Sequence, residues 1–283
     1  MENHKIETTY SAAYSAQNYL SKTTSDDYNP RASSVNNYAC KEEPNTRYRP
    51  YMEDGHKIMD SYLGDPNQGF FAVFDGHGGS EAVDYCKARM HEEFRKSLQE
   101  SPDDVARAFA NCFSKVDNQL RLTGAMTSGT TATVSYIRKE GFQKVLYVAN
   151  VGDSKGVLVS NSGAEQLTYD HKGLDQGEID RIVSGGGIII RGRVGGQLAV
   201  TRALGDHHLK TSGVSNEPHV QRKVLTPNDI FLVLATDGLW DTVEYASLRG
   251  IKGKNSNDIS ASLVQRAVES RSQDNICVLV VVF

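Results

Sequence analysis

The hydrophobic positions of this chain fall into short, dense runs. Phe70-Phe71-Ala72-Val73-Phe74, Leu146 to Val151, Phe231 to Ala235 and Ile276 to Phe283 are almost wholly apolar. Runs of that length predict strands buried on both faces. Thr130–Ile137, Lys144–Val151 and Gly156–Ser160 follow one another across short turns and read as a meander. Ile188–Ile190 and Gln197–Val200 read as further short strands. Three-and-four spacing is confined to separate blocks. Ser80 to about Leu98 places Val83, Cys86, Met90, Phe94 and Leu98 on one face. A second helix is expected from Ser101-Pro102, as cap and first-turn proline, with Val105, Ala108, Phe109, Cys112, Phe113, Val116 and Leu120 along its stripe. Gln176–Ser184 reads as a short helix with Ile179, Ile182 and Val183 inward, ended by Gly185-Gly186-Gly187, and Ser256–Ser270 as another before the last strand. Strands without intervening helices predict antiparallel sheets, and helices in blocks predict an outer cover. The expected class is α+β.

Residues 1–35 are rich in Ser, Thr, Asn, Tyr and Ala and read as an N-terminal extension. A weak helix over Thr8–Leu20 is possible there, and a disordered tail and a docked extension are equally open. Residues 36–283 read as a single catalytic domain, with no internal repeat and no linker. The chain has 283 residues and a net charge of −4, from 31 basic and 35 acidic groups. That balance gives no reason to expect nucleic acid or an anionic membrane as partner. No apolar run is long enough to span a bilayer, and Met1-Glu2-Asn3-His4 opens no secretory or myristoylation signal. Cys40, Cys86, Cys112 and Cys277 have no zinc-like spacing, so buried free thiols in a reducing compartment are expected. The expectation is a cytoplasmic monomer, with the nucleus also open.

Acidic residues stand at the margins of the apolar runs. Asp75-Gly76-His77-Gly78-Gly79 follows Phe74, where the glycines are expected to stop the strand. Thr236-Asp237-Gly238 follows Ala235, Gly152-Asp153-Ser154 follows Val151, Asp274-Asn275 precedes Ile276, and Glu53-Asp54-Gly55 precedes His56. One such aspartate is an ordinary turn residue. Five, on strands that align in a sheet, converge at one edge and repel one another unless a divalent cation joins them.

The chain resembles the metal-dependent protein serine/threonine phosphatases of type 2C. The motifs are RPYMED (Arg49 to Asp54), FFAVFDGHGG (Phe70 to Gly79), SGTTATV (Ser128 to Val134), ANVGDSKGVL (Ala149 to Leu158), DHK with Glu178 and Arg181, GGQLAVTRALGD (Gly195 to Asp206), ATDGLWD (Ala235 to Asp241) and SQDNICVLVV (Ser272 to Val281). They run in order from about Tyr38 to the end. The resemblance implies a four-layer α-β-β-α sandwich of two antiparallel sheets flanked by pairs of helices. It implies two Mg²⁺ or Mn²⁺ ions per active site and a hydroxide bridging them that attacks phosphoserine or phosphothreonine. Asp75 would bridge the ions, Glu53 and the Gly76 carbonyl would hold one, and Asp237 and Asp274 the other. Asp54 would hydrogen-bond a coordinated water, with direct ligation as the lesser option. Arg49 would grip the phosphate and His77 would be the general acid. Asp153 and Asp241 match positions that hold a weaker third ion in some relatives. Gly173 stands where the family usually has proline, which predicts a looser loop, and the segment between Asp241 and Ser256 matches no motif.

The residue types suit that chemistry. Carboxylates supply the oxygen donors that Mg²⁺ and Mn²⁺ prefer. Arginine offers a planar fork to phosphate, and imidazole titrates near neutrality. Phosphorylated proteins are the expected partners. A catalytically weak pseudophosphatase acting as a scaffold is the alternative, against which Arg49, Glu53, Asp75, His77, Asp237 and Asp274 all count. A phosphate loop at Gly185–Gly187 or Gly195-Gly196 lacks the required spacing. His56, His171, His207, His208 and His219 read as ordinary packing or surface residues, and Arg191, Arg193 and Arg202 chiefly as solvated loop residues.

Overall fold

The computed structural model describes residues 27–251 and 255–283. The possible helix at Thr8–Leu20 lies outside them. The strands and helices run β1 (Asp27–Asn29), β2 (Asn37–Glu43), β3 (Asp54–Asp60), β4 (Gly69–His77), α1 (Glu81–Glu100), α2 (Val105–Leu122), β5 (Gly129–Thr130), β6 (Ala132–Glu140), β7 (Gln143–Val151), β8 (Lys155–Ser160), β9 (Ala164–Gln166), α3 (Gln176–Ser184), β10 (Ile189–Ile190), β11 (Arg193–Val194), β12 (Leu204–Gly205), β13 (His219–Val224), β14 (Asp229–Ala235), α4 (Asp237–Trp240), α5 (Ser256–Glu269) and β15 (Ile276–Val282). One antiparallel sheet has the order β1-β2-β15-β14-β8-β9. The other has the order β12-β5-β4-β6-β7-β13, with β3 also paired to β4. Among the described residues no helix is long and apolar enough to cross a membrane.

Alternation along the strands builds the four layers. Phe70, Ala72 and Phe74 of β4 pack with Met90, Phe94, Phe109 and Phe113 of α1 and α2. Phe71 and Val73 face the other way, joining Leu232, Leu234, Leu279 and Val281 between the sheets. Phe231, Val233, Val278 and Val280 meet Ile259 and Leu263 of α5 on the far side. Each central strand is therefore apolar on both faces, which is why its sequence shows no alternation.

Several expectations need correction. The stretch Gly156–Ser160 is a strand, but it does not continue a meander. After Gly152 turns at φ 90°, β8 crosses to the opposite sheet and pairs with β14 and β9. The second helix starts at Val105, because Asp104 caps it by accepting from the Arg107 amide, while Ser101 closes α1. Gln197–Val200 forms only isolated bridges. The helices are a pair on one side only, since the far side carries the long α5 with the one-turn α4. On α3, Ile182 is buried but Val183 is 58% exposed. Glu178 turns inward instead, where it accepts from Arg181, Arg202 and Thr201. Arg202 is therefore an ion-pair residue and not a solvated one.

Gly173 does not loosen its loop. Its amide donates to the Ala199 carbonyl, and a Cβ there would collide with the Gly192 carbonyl. Glycine permits a close crossing of two backbones that proline would prevent, and proline would also lose the hydrogen bond. The segment after Asp241 forms a short 3₁₀ helix at Tyr245–Gly250, which inserts Leu248 into the core under α5.

Candidate metal centre

Five acidic residues from separate elements converge at one end of the sandwich. β4 does not stop at Phe74 but continues through Asp75 and Gly76 to His77, and turns only at Gly78 and Gly79. Antiparallel register sets Asp54 of β3 opposite Asp75, and Gly76 opposite Thr130 of β5. β14 lies in the other sheet and delivers Asp237 as the first residue of α4. β15, beside it, delivers Asp274 just before its start. Asp153 lies in the turn where the chain crosses between the sheets.

The link between the sheets is a hydrogen-bond chain. Thr236 donates its hydroxyl to Asp54 Oδ2 at 2.8 Å and accepts from the Cys277 amide at 3.0 Å. Asn275, 3% exposed, does the same for the Glu53 segment. Its Oδ1 accepts from the Glu53 amide at 2.9 Å, and its Nδ2 donates to the Pro44 and Tyr51 carbonyls. Glu53 Oε1 accepts from the Gly79 amide at 2.9 Å, which fixes its side chain against the turn after β4. Gly238 lets α4 lie on the Asn275 carbonyl, where a Cβ would collide. Asn275 was visible in the sequence only as the neighbour of Asp274; its positioning role shows in these bonds.

Burial and then crowding raise the proton affinity of Asp75, Asp54 and Asp237. Asp75 is pushed well above the usual carboxylate range by burial, then by Asp237, Asp54, Asp153 and Asp274. Asp54 is raised by burial and by Asp237, Asp274 and Glu42, against the Thr236 bond. Asp237 rises from 3.8 to about 7, through burial and then Asp153, Asp241 and Asp274, and it is within hydrogen-bond reach of Asp75. These groups therefore share one field. Carboxylates in such a crowd fit hard divalent cations, whose charge removes the repulsion and whose preferred donors are oxygens.

The other site residues fall around this cluster. Arg49 Nη2 pairs with Asp274 Oδ2, and its Nε donates to the Gln273 carbonyl at 3.4 Å. His77 Nε2 lies 2.7 Å from Asp206 Oδ2, and Asp206 is 1% exposed. Asp206 ends the GGQLAVTRALGD motif, but nothing local in the sequence tied it to His77. Lys172 sits between the two candidates for a third ion, 3.1 Å from Asp153 and 3.7 Å from Asp241. Tyr51, Met52, Glu53, Gly79 and Ser80 line a cavity of about 490 Å³ beside the centre.

His171 is buried, with Nδ1 3.1 Å from the Gly152 carbonyl; burial and then Arg202 lower it to about 4, so it is a neutral packing residue. His208 is exposed beside the buried His207 side chain, and the two do not act as a pair. His56 departs from the expectation of ordinary packing, because it meets Glu42 and Asp27 at its two ring nitrogens.

A family model described as protein phosphatase 2C matches residues 38–276. The chain belongs to the protein phosphatase 2C family. Protein phosphatase 2C homolog 1 of Schizosaccharomyces pombe is 35% identical over 261 residues, covering 89% of this chain and 75% of the relative. The protein of the same description from Saccharomyces cerevisiae is 36% identical over 256 residues, covering 85% of this chain and 91% of the relative. Among solved structures, a Caenorhabditis elegans sex determining protein superposes with a TM-score of 0.76 at 26% identity, covering 87% of this chain and 64% of that one. A Toxoplasma gondii phosphatase shares the fold at a TM-score of 0.79 and 22% identity, covering 92% and 96%. The molecule is thus a metal-dependent protein serine/threonine phosphatase, a phosphoric monoester hydrolase that acts on phosphorylated proteins.

Metal removal should destabilise this phosphatase in a pH-dependent way. A carboxyl whose folded pKa is raised stabilises the fold fully below its unfolded value and loses that contribution as pH rises toward the folded one. For Asp237 the window runs from about 4 to about 7. The cost above it is on the order of 4 kcal/mol, or roughly 10 °C in melting temperature. Thermal melts in excess chelator should fall between pH 5 and 7.5 and recover with added Mg²⁺. A melting temperature unmoved by pH and chelator would contradict this reading of the cluster.

Proposed function

We propose that this phosphatase hydrolyses phosphoserine and phosphothreonine in proteins at the acidic end of the sandwich, using two Mg²⁺ or Mn²⁺ ions. The supporting observation is the meeting of Asp54, Asp75 and Asp237 in one field with Asp274. Asp75, Glu53, the Gly76 carbonyl, Asp237 and Asp274 would hold the ions. Asp54, already bound to Thr236, would act on a water at their edge. When bound, the ions offset the charge of the ester and acidify the attacking water.

The chain's own residues do the rest. Arg49 is long, exposed and anchored only at its head. Once Asp274 is neutralised, its fork is free to take two phosphate oxygens. His77 is held through one ring nitrogen by Asp206, which orients the imidazole. The other nitrogen can then deliver a proton to the departing serine or threonine oxygen. Lys172 pairs with both Asp153 and Asp241, so a third ion would have to displace an ammonium group there. An inactive scaffold has no observation in its favour.

Phosphopeptide hydrolysis by wild type and Asp237→Asn, each with and without Mn²⁺, tests the proposal. Wild type should release phosphate only with Mn²⁺, and the variant should be nearly inert at the same concentration. Inert wild type under saturating Mn²⁺ would refute the proposal.

A further inference from the structure

A second donor cluster lies where the two sheets face each other, and the acidic centre does not use it. Cys40 and Glu42 come from β2, Cys277 from β15, and His56 from β3 of the opposite sheet. Register accounts for the meeting. Cys277 lies opposite Glu42, and Cys40 is two residues from Glu42 on the same strand, so all three share a face. His56 lies opposite Val73, which belongs with Cys40 and Cys277 to the core between the sheets. One ligand atom from each residue lies within 4.8 Å of all the others. Among the described residues, no other group of three or more His, Cys, Asp or Glu side chains draws so close.

We propose that Cys40, Cys277, His56 and Glu42 form a binding site for a borderline-soft divalent cation of the zinc class, distinct from the oxygen-lined catalytic centre. Two thiols, an imidazole and a carboxylate are a tetrahedral donor set for such an ion and a poor one for Mg²⁺ or Mn²⁺. The two sulfurs are 3.8 Å apart. Two thiolates bound at about 2.3 Å to a tetrahedral ion stand about 3.8 Å from each other. Cys277 Sγ is 4.0 Å from Glu42 Oε1, which is 2.5 Å from His56 Nδ1. The last contact must widen by somewhat under about 1 Å when the ion replaces the proton between those atoms. His56 Nε2 lies 2.9 Å from Asp27 Oδ2, the outward carboxylate that commonly orients a metal-bound imidazole.

Packing alone explains the other two thiols. Cys86 and Cys112 sit in the apolar core between α1, α2 and their sheet. Cys40 and Cys277 also border a core, but an imidazole and a carboxylate are brought to them there. Binding releases both thiol protons and the proton between His56 and Glu42, so affinity should fall at low pH. The ion would clamp β2 and β15 of one sheet to β3 of the other. β3 carries Asp54, two residues before His56, and β15 begins at Ile276, two residues after Asp274. The clamp would thereby brace two of the strands that shape the catalytic centre.

Cobalt titration of the metal-stripped full chain, with Mg²⁺ in excess to fill the oxygen-lined centre, tests this. About one equivalent of Co²⁺ should raise a near-ultraviolet thiolate-to-cobalt band and the visible bands of a tetrahedral ion, and Zn²⁺ should abolish both. One equivalent of Zn²⁺ should raise the melting temperature under the same Mg²⁺. Asp75→Asn should keep the band and Cys277→Ser should lose it. Absence of the near-ultraviolet band in wild type overturns the proposal without recourse to any variant. Its survival in a folded Cys277→Ser variant overturns it too, because the cation would then be on other thiols.

Discussion

Asp75→Asn is expected to lower phosphopeptide hydrolysis by at least about 10³-fold, or roughly 4 kcal/mol of transition-state stabilisation. The substitution keeps the shape of the side chain and removes its charge. Asp75 is raised by its burial and then by Asp237, Asp54, Asp153 and Asp274. Calorimetry should show weakened Mn²⁺ binding alongside the lost activity. A second consequence runs the other way. In chelator the variant should melt higher than wild type, because one of several crowded carboxylates has been made neutral. Retained Mn²⁺ affinity, or a metal-free variant less stable than wild type, would contradict a metal-holding role for Asp75.

His77→Ala should slow alkyl phosphate hydrolysis by roughly 10²- to 10⁴-fold, the usual worth of a positioned general acid. Aryl phosphates with good leaving groups should be slowed much less, since their oxygen departs without a proton. Asp206→Asn should act through His77. It removes the buried carboxylate that holds Nε2 at 2.7 Å and should slow alkyl phosphates more than aryl ones while sparing metal binding. Equal slowing of alkyl and aryl substrates in His77→Ala would argue against proton donation. Equal slowing of alkyl and aryl substrates in Asp206→Asn would leave that residue a structural role only.

The strands and the acidic positions were legible because both are written locally. A strand covered on both faces must be apolar throughout, as Phe70–Phe74 and Phe231–Ala235 are. Carboxylates at the ends of such strands stand out against that background. The helix start at Val105 was missed because Ser101 and Asp104 are both plausible caps, and only the hydrogen bond to Arg107 distinguishes them. The crossing of β8 was missed because a turn of given length does not reveal which sheet receives the next strand. Gly173 reads as a loosened loop in the sequence because its partner there, the backbone of Gly192, is distant along the chain.

The linear order of residues was enough for the class of fold, the family and the acidic positions at strand ends, since apolar runs and motif spacing are properties of neighbours along the chain. Folding alone decided the long-range pairs: Asp206 with His77, Asn275 with Glu53, Lys172 between Asp153 and Asp241, and His56 with two cysteines. Those partners are separated by up to more than two hundred positions, and hydrogen bonds and coordination act over about 3 Å. Sheet order and register bring such atoms within reach, and no local pattern encodes that distance.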